Sequence, residues 1–273
     1  MAIRTQVSEN TPQVKWLNSI WRYISSALVL TELELRKIRH DQTQVWVRLI
    51  QPTLWLLVFG SALSKVRLIP TGNYTYLQYL TPGVLAQSVI FVAIFYGINV
   101  VWERDLGQLN KLLSTPTKRS AIVLGKAFSA GVRGIFQAVA ILVLALIMRI
   151  HLNLNPLNLL GVLVVVVAFG MAFASMSMAL ASVFRSRERM MGIGQAITMP
   201  LFFASNAIYP ASIMPFWLQG LIKVNPLSYV VDCLRGLLLP GYAFSPRADV
   251  IAIAVSTIVL VSLAGLGFRR MVS

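Results

Sequence analysis

Residues able to carry out acid–base, nucleophilic or metal chemistry are few in this 273-residue chain. There are two histidines, His40 and His151, a single cysteine, Cys233, and nine acidic residues. Their spacing forms no metal-ligand cluster, no pair of carboxylates and no Ser–His pair. Gly125 and Lys126 lack the glycine five positions earlier that a phosphate loop needs. We therefore expect no enzyme activity, and no cofactor or metal held by this chain.

The stretch 102–120 is a short charged interruption between two long apolar segments. It contains two acidic residues, Glu103 and Asp105, followed by leucines three and four positions apart, a spacing that places them on one helical face. These leucines are Leu106, Leu109, Leu112 and Leu113. Pro116 then ends the helix. Two interpretations stay open: an apolar knob that docks in the groove of a partner protein, or an ordinary loop helix that lies on the lipid surface.

The composition requires a membrane to position these residues. The chain is 57% hydrophobic and 12% charged, and soluble domains carry about twice that charged fraction. The net charge of +15 could indicate a nucleic-acid partner. However, the basic residues lie in short clusters at the ends of apolar segments, as in the cytoplasmic loops of membrane proteins. We therefore predict an all-α polytopic membrane protein that contacts the lipid bilayer and no nucleic acid.

Apolar runs long enough to cross a bilayer recur along the whole chain. They predict six spans within the membrane domain 42–273, at about 45–64, 80–101, 121–148, 159–184, 190–209 and 249–268. Residues 15–41 have one apolar stripe and two tryptophans, which predict an amphipathic helix at the membrane interface. Residues 1–14 are polar and contain no apolar run, so we expect a flexible N-terminus without a cleavable signal peptide.

The distribution of basic residues predicts the orientation. With alternating sides, fifteen Lys and Arg residues fall on the side that holds 102–120, and six fall on the other side. Such a bias places the basic side in the cytoplasm. The sequence therefore predicts a multi-pass plasma (inner) membrane protein with both termini cytoplasmic.

The outer segment 210–247 is too apolar for an exposed loop and contains five of the twelve prolines. The prolines divide it into 215–224 and 226–239, each too short to span, which predicts a re-entrant or interfacial helical hairpin between spans five and six. Asn225 is a good N-cap residue, Pro226 suits the first helical turn, and Asp232 and Arg235 can pair. The segment can form an outer gate or a simple cap of the bundle. The candidate gate residues are Asn225, Pro226, Tyr229, Asp232 and Arg235.

The polar residues at the centre of the predicted spans carry no charge. The candidates for lining a polar path are Gln51, Gln87, Asn99, Gln195 and Asn206. Ion-coupled transport would need ionisable groups at membrane depth, so any pumping energy is expected to come from another subunit. An ATPase-independent channel or lipid scramblase is the alternative.

Three motifs together resemble the ABC-2 type transporter permeases. They are ERDLGQLNKLLSTPTKRSAIVLGK (103–126), TPGVLAQ (81–87) and NPLSYVVDCLRGLLL (225–239). The resemblance runs over nearly the whole chain, and the sub-type is nearest to the drug-export and nodulation-type permeases. Asn110 departs from the pattern, because relatives often carry a charged residue there.

The resemblance implies a function. Such permeases export substrates outward as dimers, with two copies of an ABC ATP-binding subunit that holds ATP and Mg²⁺. The second permease could be a sister chain, and we expect a homodimer. The substrate is expected to be an amphipathic drug, a lipid or a glycan. Residues 103–115 would form the coupling helix, which docks on the ATP-binding subunit, and residues 15–41 would form the connecting helix. Spans one, two and five would line the translocation path, and the hairpin 210–247 would close it. The implied ATPase-docking residues are Glu103, Leu106, Gly107, Leu109, Asn110, Leu112 and Leu113.

Overall fold

The structure, a computed structural model, describes residues 21, 23, 25–36, 42–64, 70–115, 117–184 and 186–271, and every regular element in these ranges is a helix. The elements are α1 (25–36), α2 (Gln42–Leu54), a π-helical segment (Trp55–Gly60), α3 (Ser61–Ser64), α4 (Tyr76–Asp105), α5 (Gln108–Leu113), α6 (Arg119–Ile147), α7 (Pro156–Val183), α8 (Arg187–Phe203), a 3₁₀ turn (Ala211–Ile213), α9 (Phe216–Val224), α10 (Pro226–Leu238) and α11 (Pro246–Met271). The predicted flexible segment 1–14 lies outside the described residues, as do the two ends of the predicted interfacial helix.

Helix α4 is the buried centre of the bundle. It starts at a capping box, in which Thr75 Oγ1 accepts a hydrogen bond from the Gln78 N–H and Gln78 Oε1 accepts one from the Thr75 N–H. Most of its thirty residues are buried, and it packs against α2, α6, α7, α8 and α10. Because α4 carries Gln87 at its middle and Glu103 at its end, it positions residues from two of the predicted sites.

Small residues bring the helices around α4 close together. A Cβ atom on Gly97 would overlap with the Cβ of Ser177, and a Cβ on Gly170 would lie 2.8 Å from the Cα of Gly131. The small-residue tract of α7 therefore packs directly on α4 and α6, which is how membrane helices without a hydrophobic driving force associate.

Within the part of the chain that the structure describes, five helices are long and apolar enough to cross a bilayer: Trp46–Ser64, α4, α6, α7 and the Pro246–Phe268 part of α11. The sixth predicted span, 190–209, is represented by α8, which has 17 residues and ends at Phe203. At 1.5 Å per residue α8 is about 26 Å long, slightly less than a hydrocarbon core of about 30 Å. Its crossing of the membrane stays a prediction, and so does the re-entrant position of α9 and α10.

Candidate functional site

The predicted docking helix is a separate short helix, α5, at one end of the bundle. α4 ends at Asp105, and the chain turns at Gly107, whose φ of +70° lies in the left-handed region that favours glycine. We call residues 105–119 the α5 end. Since α5 follows a turn, its residues do not continue the helical face of α4.

This turn corrects the prediction that the leucines form one continuous helical stripe. Leu109 is only 1% exposed and packs on the chain's own core beside Leu30 and Ile122, with Leu112 partly buried in the same cluster. Leu106 precedes the turn and is 63% exposed. Leu109 and Leu112 therefore attach α5 to this chain, whereas the exposed Leu106 remains available to another protein.

Apart from Leu106, the exposed side chains that the structure describes at the α5 end are polar or charged. Gln108 and Lys111 are exposed on α5, and Lys118 and Arg119 are exposed at the start of α6. The side chains of Asn110 and Leu113 lie outside the described part of the chain. The described groups thus expose Leu106 as an apolar anchor beside three basic side chains and the acidic Asp105.

A buried lysine joins three helices next to the α5 end. Lys126 of α6 is 1% exposed, and its Nζ donates to Glu34 Oε1 of α1 at 2.9 Å and to Glu103 Oε2 of α4 at 2.5 Å. Glu103, predicted to face a partner, thus has its carboxylate directed at Lys126 within the chain. A cation buried between two carboxylates fixes the relative positions of α1, α4 and α6.

A second cation extends this cluster along α6. Arg133 Nη2 lies 3.5 Å from Glu34 Oε2 and donates to the Glu34 carbonyl oxygen at 2.8 Å, and its guanidinium lies 4.5 Å from the centre of the Tyr96 ring. Thr31 Oγ1 donates to the Gly125 carbonyl oxygen at 3.1 Å. We call Glu34, Glu103, Lys126 and Arg133 the Lys126 cluster. Sequence reasoning missed it, although two cations seven residues apart on α6 share a helical face.

A buried arginine organises the opposite end of the bundle. Arg235 is 0% exposed; its Nη2 donates to the carbonyl oxygens of Asn206 at 2.6 Å, Ala207 at 3.2 Å and Tyr79 at 3.3 Å. Its guanidinium also stacks 3.5 Å from the centre of the Tyr79 ring. Arg235 therefore ties α10 to the start of α4 and to the chain after α8.

Asp232 completes this arrangement, which we call the Arg235 network. Its Oδ1 accepts from Asn206 Nδ2 at 2.7 Å and from Tyr242 Oη at 3.1 Å, and lies 3.6 Å from Arg235 Nη1, so the predicted ion pair is confirmed. Burial raises the pKa of Asp232, while the Arg235 charge and the two hydrogen bonds oppose that rise. Burial likewise raises the pKa of Tyr242 to about 12.

The boundary between α9 and α10 is the one predicted. Asn225 Oδ1 accepts from the Leu227 N–H at 3.0 Å as the N-cap of α10, and Pro226 occupies the first turn. Asn225 Nδ2 also donates to the carbonyl oxygens of Leu201 at 2.7 Å and Ala204 at 3.0 Å, which end α8. Tyr229, another predicted gate residue, donates a hydrogen bond to the Lys223 carbonyl oxygen and so links α10 to α9 within the hairpin. The hairpin is thus bonded to α8 at its bend.

The five polar residues predicted to line a path lie in different places. Gln51 and Gln87 line one cavity of about 180 Å³ between α2 and α4. Asn206 belongs instead to the Arg235 network, because its amide and carbonyl groups bond to Asp232 and Arg235. Asn99 is partly exposed on α4, and Gln195 is exposed on α8. The structure therefore brings together only the first two.

Comparisons with known proteins agree with the layout. Residues 26–239 match the family model described as ABC-2 type transporter. The transport permease ycf38 of Cyanophora paradoxa is 26% identical over 79% of this chain and 74% of its own length. The daunorubicin resistance ABC transporter permease protein DrrB1 of Streptomyces coeruleorubidus is 23% identical over 79% of this chain and 75% of its own. The inner membrane transport permease YadH of Escherichia coli is 22% identical over 72% of this chain and 77% of its own.

Proposed function

The chain belongs to the ABC-2 type transporter family, and from that premise we propose how it works as the membrane permease of an ABC transporter. Permeases of this family function with ABC ATP-binding subunits. We propose that two copies of this chain form a homodimer in the plasma (inner) membrane, with both termini cytoplasmic. Two ATP-binding subunits, which hold ATP and Mg²⁺, dock on the α5 ends, and the substrate moves outward.

The observation that carries this proposal is the construction of the α5 end. Leu109 packs into the chain's own core, so α5 is held in place, while Leu106 and Lys111 remain on the surface. A short helix held in place, with an exposed leucine and charged side chains beside it, offers a defined surface that a groove in a partner protein can bind. This arrangement favours docking over a loose loop helix on the lipid surface.

The Lys126 cluster gives the docking site a physical connection to the membrane helices. Glu103 lies four residues before Gly107, and its bond to Lys126 joins the base of the α5 end to α6 and α1. In our proposal, movement of the docked subunit displaces α5, and the cluster carries that displacement into α4 and α6. The hairpin α9–α10, held by the Arg235 network, then acts as the outer gate.

Two features support an amphipathic substrate such as a drug, lipid or glycan. DrrB1, a relative of this chain, is named for daunorubicin resistance. In addition, the apolar spans carry uncharged polar side chains such as Gln51 and Gln87, which line one cavity. A molecule with a polar head and an apolar body suits such an interior.

The test is Leu106→Asp. A charge placed in a docked apolar contact removes a central anchor, so we expect it to reduce co-purification of an ATP-binding protein by about tenfold or more. Since Leu106 is 63% exposed, the fold should be unchanged. Tagged wild-type and variant chains are purified from the native membrane in mild detergent, and the bound ATP-binding protein is quantified.

Leu154→Asp is the matched control, because Leu154 is an exposed leucine in the loop between α6 and α7, at the opposite end of the bundle. It should retain the partner. Equal partner binding by Leu106→Asp and wild type would contradict docking at this site. Absence of any ATP-binding protein from folded wild type, with lipid flip or conductance by the chain alone, would favour a channel or scramblase.

A further inference from the structure

The cavity between α2 and α4 contains an unusual polar side chain. Its volume is about 180 Å³, and its lining includes Arg48, Gln51, Gln87, Ser88, Phe91 and Phe95. Pockets that enclose a whole drug-sized ligand measure roughly 300–1,000 Å³. This cavity is smaller, so it suits the head group of a longer molecule.

Gln87 is 2% exposed, and neither its Nε2 nor its Oε1 has a hydrogen-bond partner among the residues that the structure describes. The neighbouring Ser88 differs, because its Oγ donates to the Leu85 carbonyl oxygen at 2.7 Å. Buried amides in native proteins are normally hydrogen-bonded, and a lipid bilayer supplies no partners. A buried amide that lines a cavity can donate to and accept from a molecule bound there.

Arg48 supplies the charge. Among the residues lining this cavity it alone is ionisable, and its guanidinium lies 5.6 Å from the centre of the Phe95 ring. A guanidinium presents several N–H donors in a plane, which matches the oxygen atoms of a phosphate or carboxylate. Phe91 and Phe95 provide an apolar wall beside it.

We propose that this cavity binds the anionic head group, a phosphate or carboxylate, of an amphiphile. Arg48 pairs with the charge, the Gln87 amide donates a hydrogen bond to the same head group, and the apolar chain lies against Phe91 and Phe95. This inference rests on the proposed function and names a substrate class for it. The same chemistry describes a transported amphiphile and a membrane phospholipid, and the experiment separates the two.

The probe is dodecyl phosphate, titrated into the purified permease–ATPase complex in a neutral detergent and followed by native mass spectrometry. Dodecyltrimethylammonium, with the same chain and the opposite charge, is the ligand control. We expect wild type to bind dodecyl phosphate and not the cation. Gln87→Leu should weaken binding about tenfold, the effect of losing one hydrogen bond to a charged group. Arg48→Gln should abolish the preference for the anion.

Asn73→Leu is the matched variant control, since Asn73 is an exposed amide in the turn before α4, and it should bind as wild type does. Gln87→Leu should fold at least as well as wild type because it replaces an unbonded buried amide by an apolar group. Equal binding of the two amphiphiles, or unchanged dodecyl phosphate affinity in Gln87→Leu, would overturn the proposal. Displacement of dodecyl phosphate by an equal concentration of inorganic phosphate would also overturn it.

ATP hydrolysis by the same preparations distinguishes the two sources of head group. Stimulation by dodecyl phosphate in wild type, and loss of stimulation in Gln87→Leu, would assign the site to the transported molecule. Binding without stimulation, with endogenous phospholipid found on the untreated complex, would assign it to a membrane lipid. The ATP-binding subunit should remain bound in every variant. If dodecyl phosphate does not bind while the ATP-binding subunit remains on the complex, only the cavity proposal is wrong. If wild type carries no ATP-binding subunit, the proposed function is wrong.

Discussion

Replacing Arg235 by methionine is expected to destabilise the protein by about 3–5 kcal/mol, the range for removing one partner of a buried ion pair. Methionine keeps much of the side-chain length but donates no hydrogen bond. The carbonyl oxygens of Tyr79, Asn206 and Ala207 would lose their bonds to the guanidinium, and Asp232 would lose its cation. The free energy of unfolding, measured by titrating the purified protein with a denaturing detergent, provides the check.

Arg247→Met is the control for that variant. Arg247 is exposed at the start of α11, and substitutions at such positions usually change stability by about 0.5 kcal/mol or less. The double variant Arg235→Met with Asp232→Asn should recover part of the loss, because it removes the carboxylate charge that Arg235 balances. A loss for Arg235→Met no larger than that for Arg247→Met would show that the Arg235 network does not hold the hairpin.

Replacing Lys126 by methionine is expected to have an effect of similar size at the α5 end, about 3–5 kcal/mol. The carboxylates of Glu34 and Glu103 would remain close together without the cation between them. Repulsion between the two acids should displace α1 from α6 and loosen the end of α4. The free energy of unfolding measures the total loss of stability. Lys118→Met is the control, because Lys118 is exposed at the start of α6, and it should lower the free energy of unfolding only slightly.

A labelling experiment separates this local effect from general unfolding. Ala27 is 6% exposed in α1 and packs against Gly125 of α6. In a Cys233→Ser background, Ala27→Cys should react slowly with a thiol reagent when Lys126 is present and faster in the Lys126→Met variant. Equal reaction rates in the two proteins would mean that the Lys126 cluster does not hold α1 in place.

Features that depend on local sequence could be predicted closely. The helices of the hairpin were expected at 215–224 and 226–239 and are found at Phe216–Val224 and Pro226–Leu238. Asn225 and Pro226 define the start of α10 through interactions within a few residues. Asp232 and Arg235 lie about one helical turn apart on α10, so their spacing in the sequence was enough to predict that they pair.

Features that depend on packing between distant segments could not be predicted from the sequence. Lys126 meets Glu34 and Glu103 only because α1 and the end of α4 pack on the same part of α6. The leucine spacing indicated a helical stripe, yet the left-handed turn at Gly107 separates Leu106 from Leu109. Asn206 was predicted to line a path, but its hydrogen-bond partners, Asp232 and Arg235, lie on the hairpin. The position of the hairpin relative to Asn206 depends on packing between segments, so the local sequence did not reveal these bonds.

The central claim is that the ATP-binding subunit docks at the α5 end, and site-specific photo-cross-linking in the native membrane tests it most directly. A photoreactive amino acid is introduced at the position of Lys111, which is exposed on α5, and separately at the position of Leu154. The account predicts a cross-link to an ATP-binding protein from position 111 and none from position 154. No cross-link from position 111, or one from position 154, would contradict it.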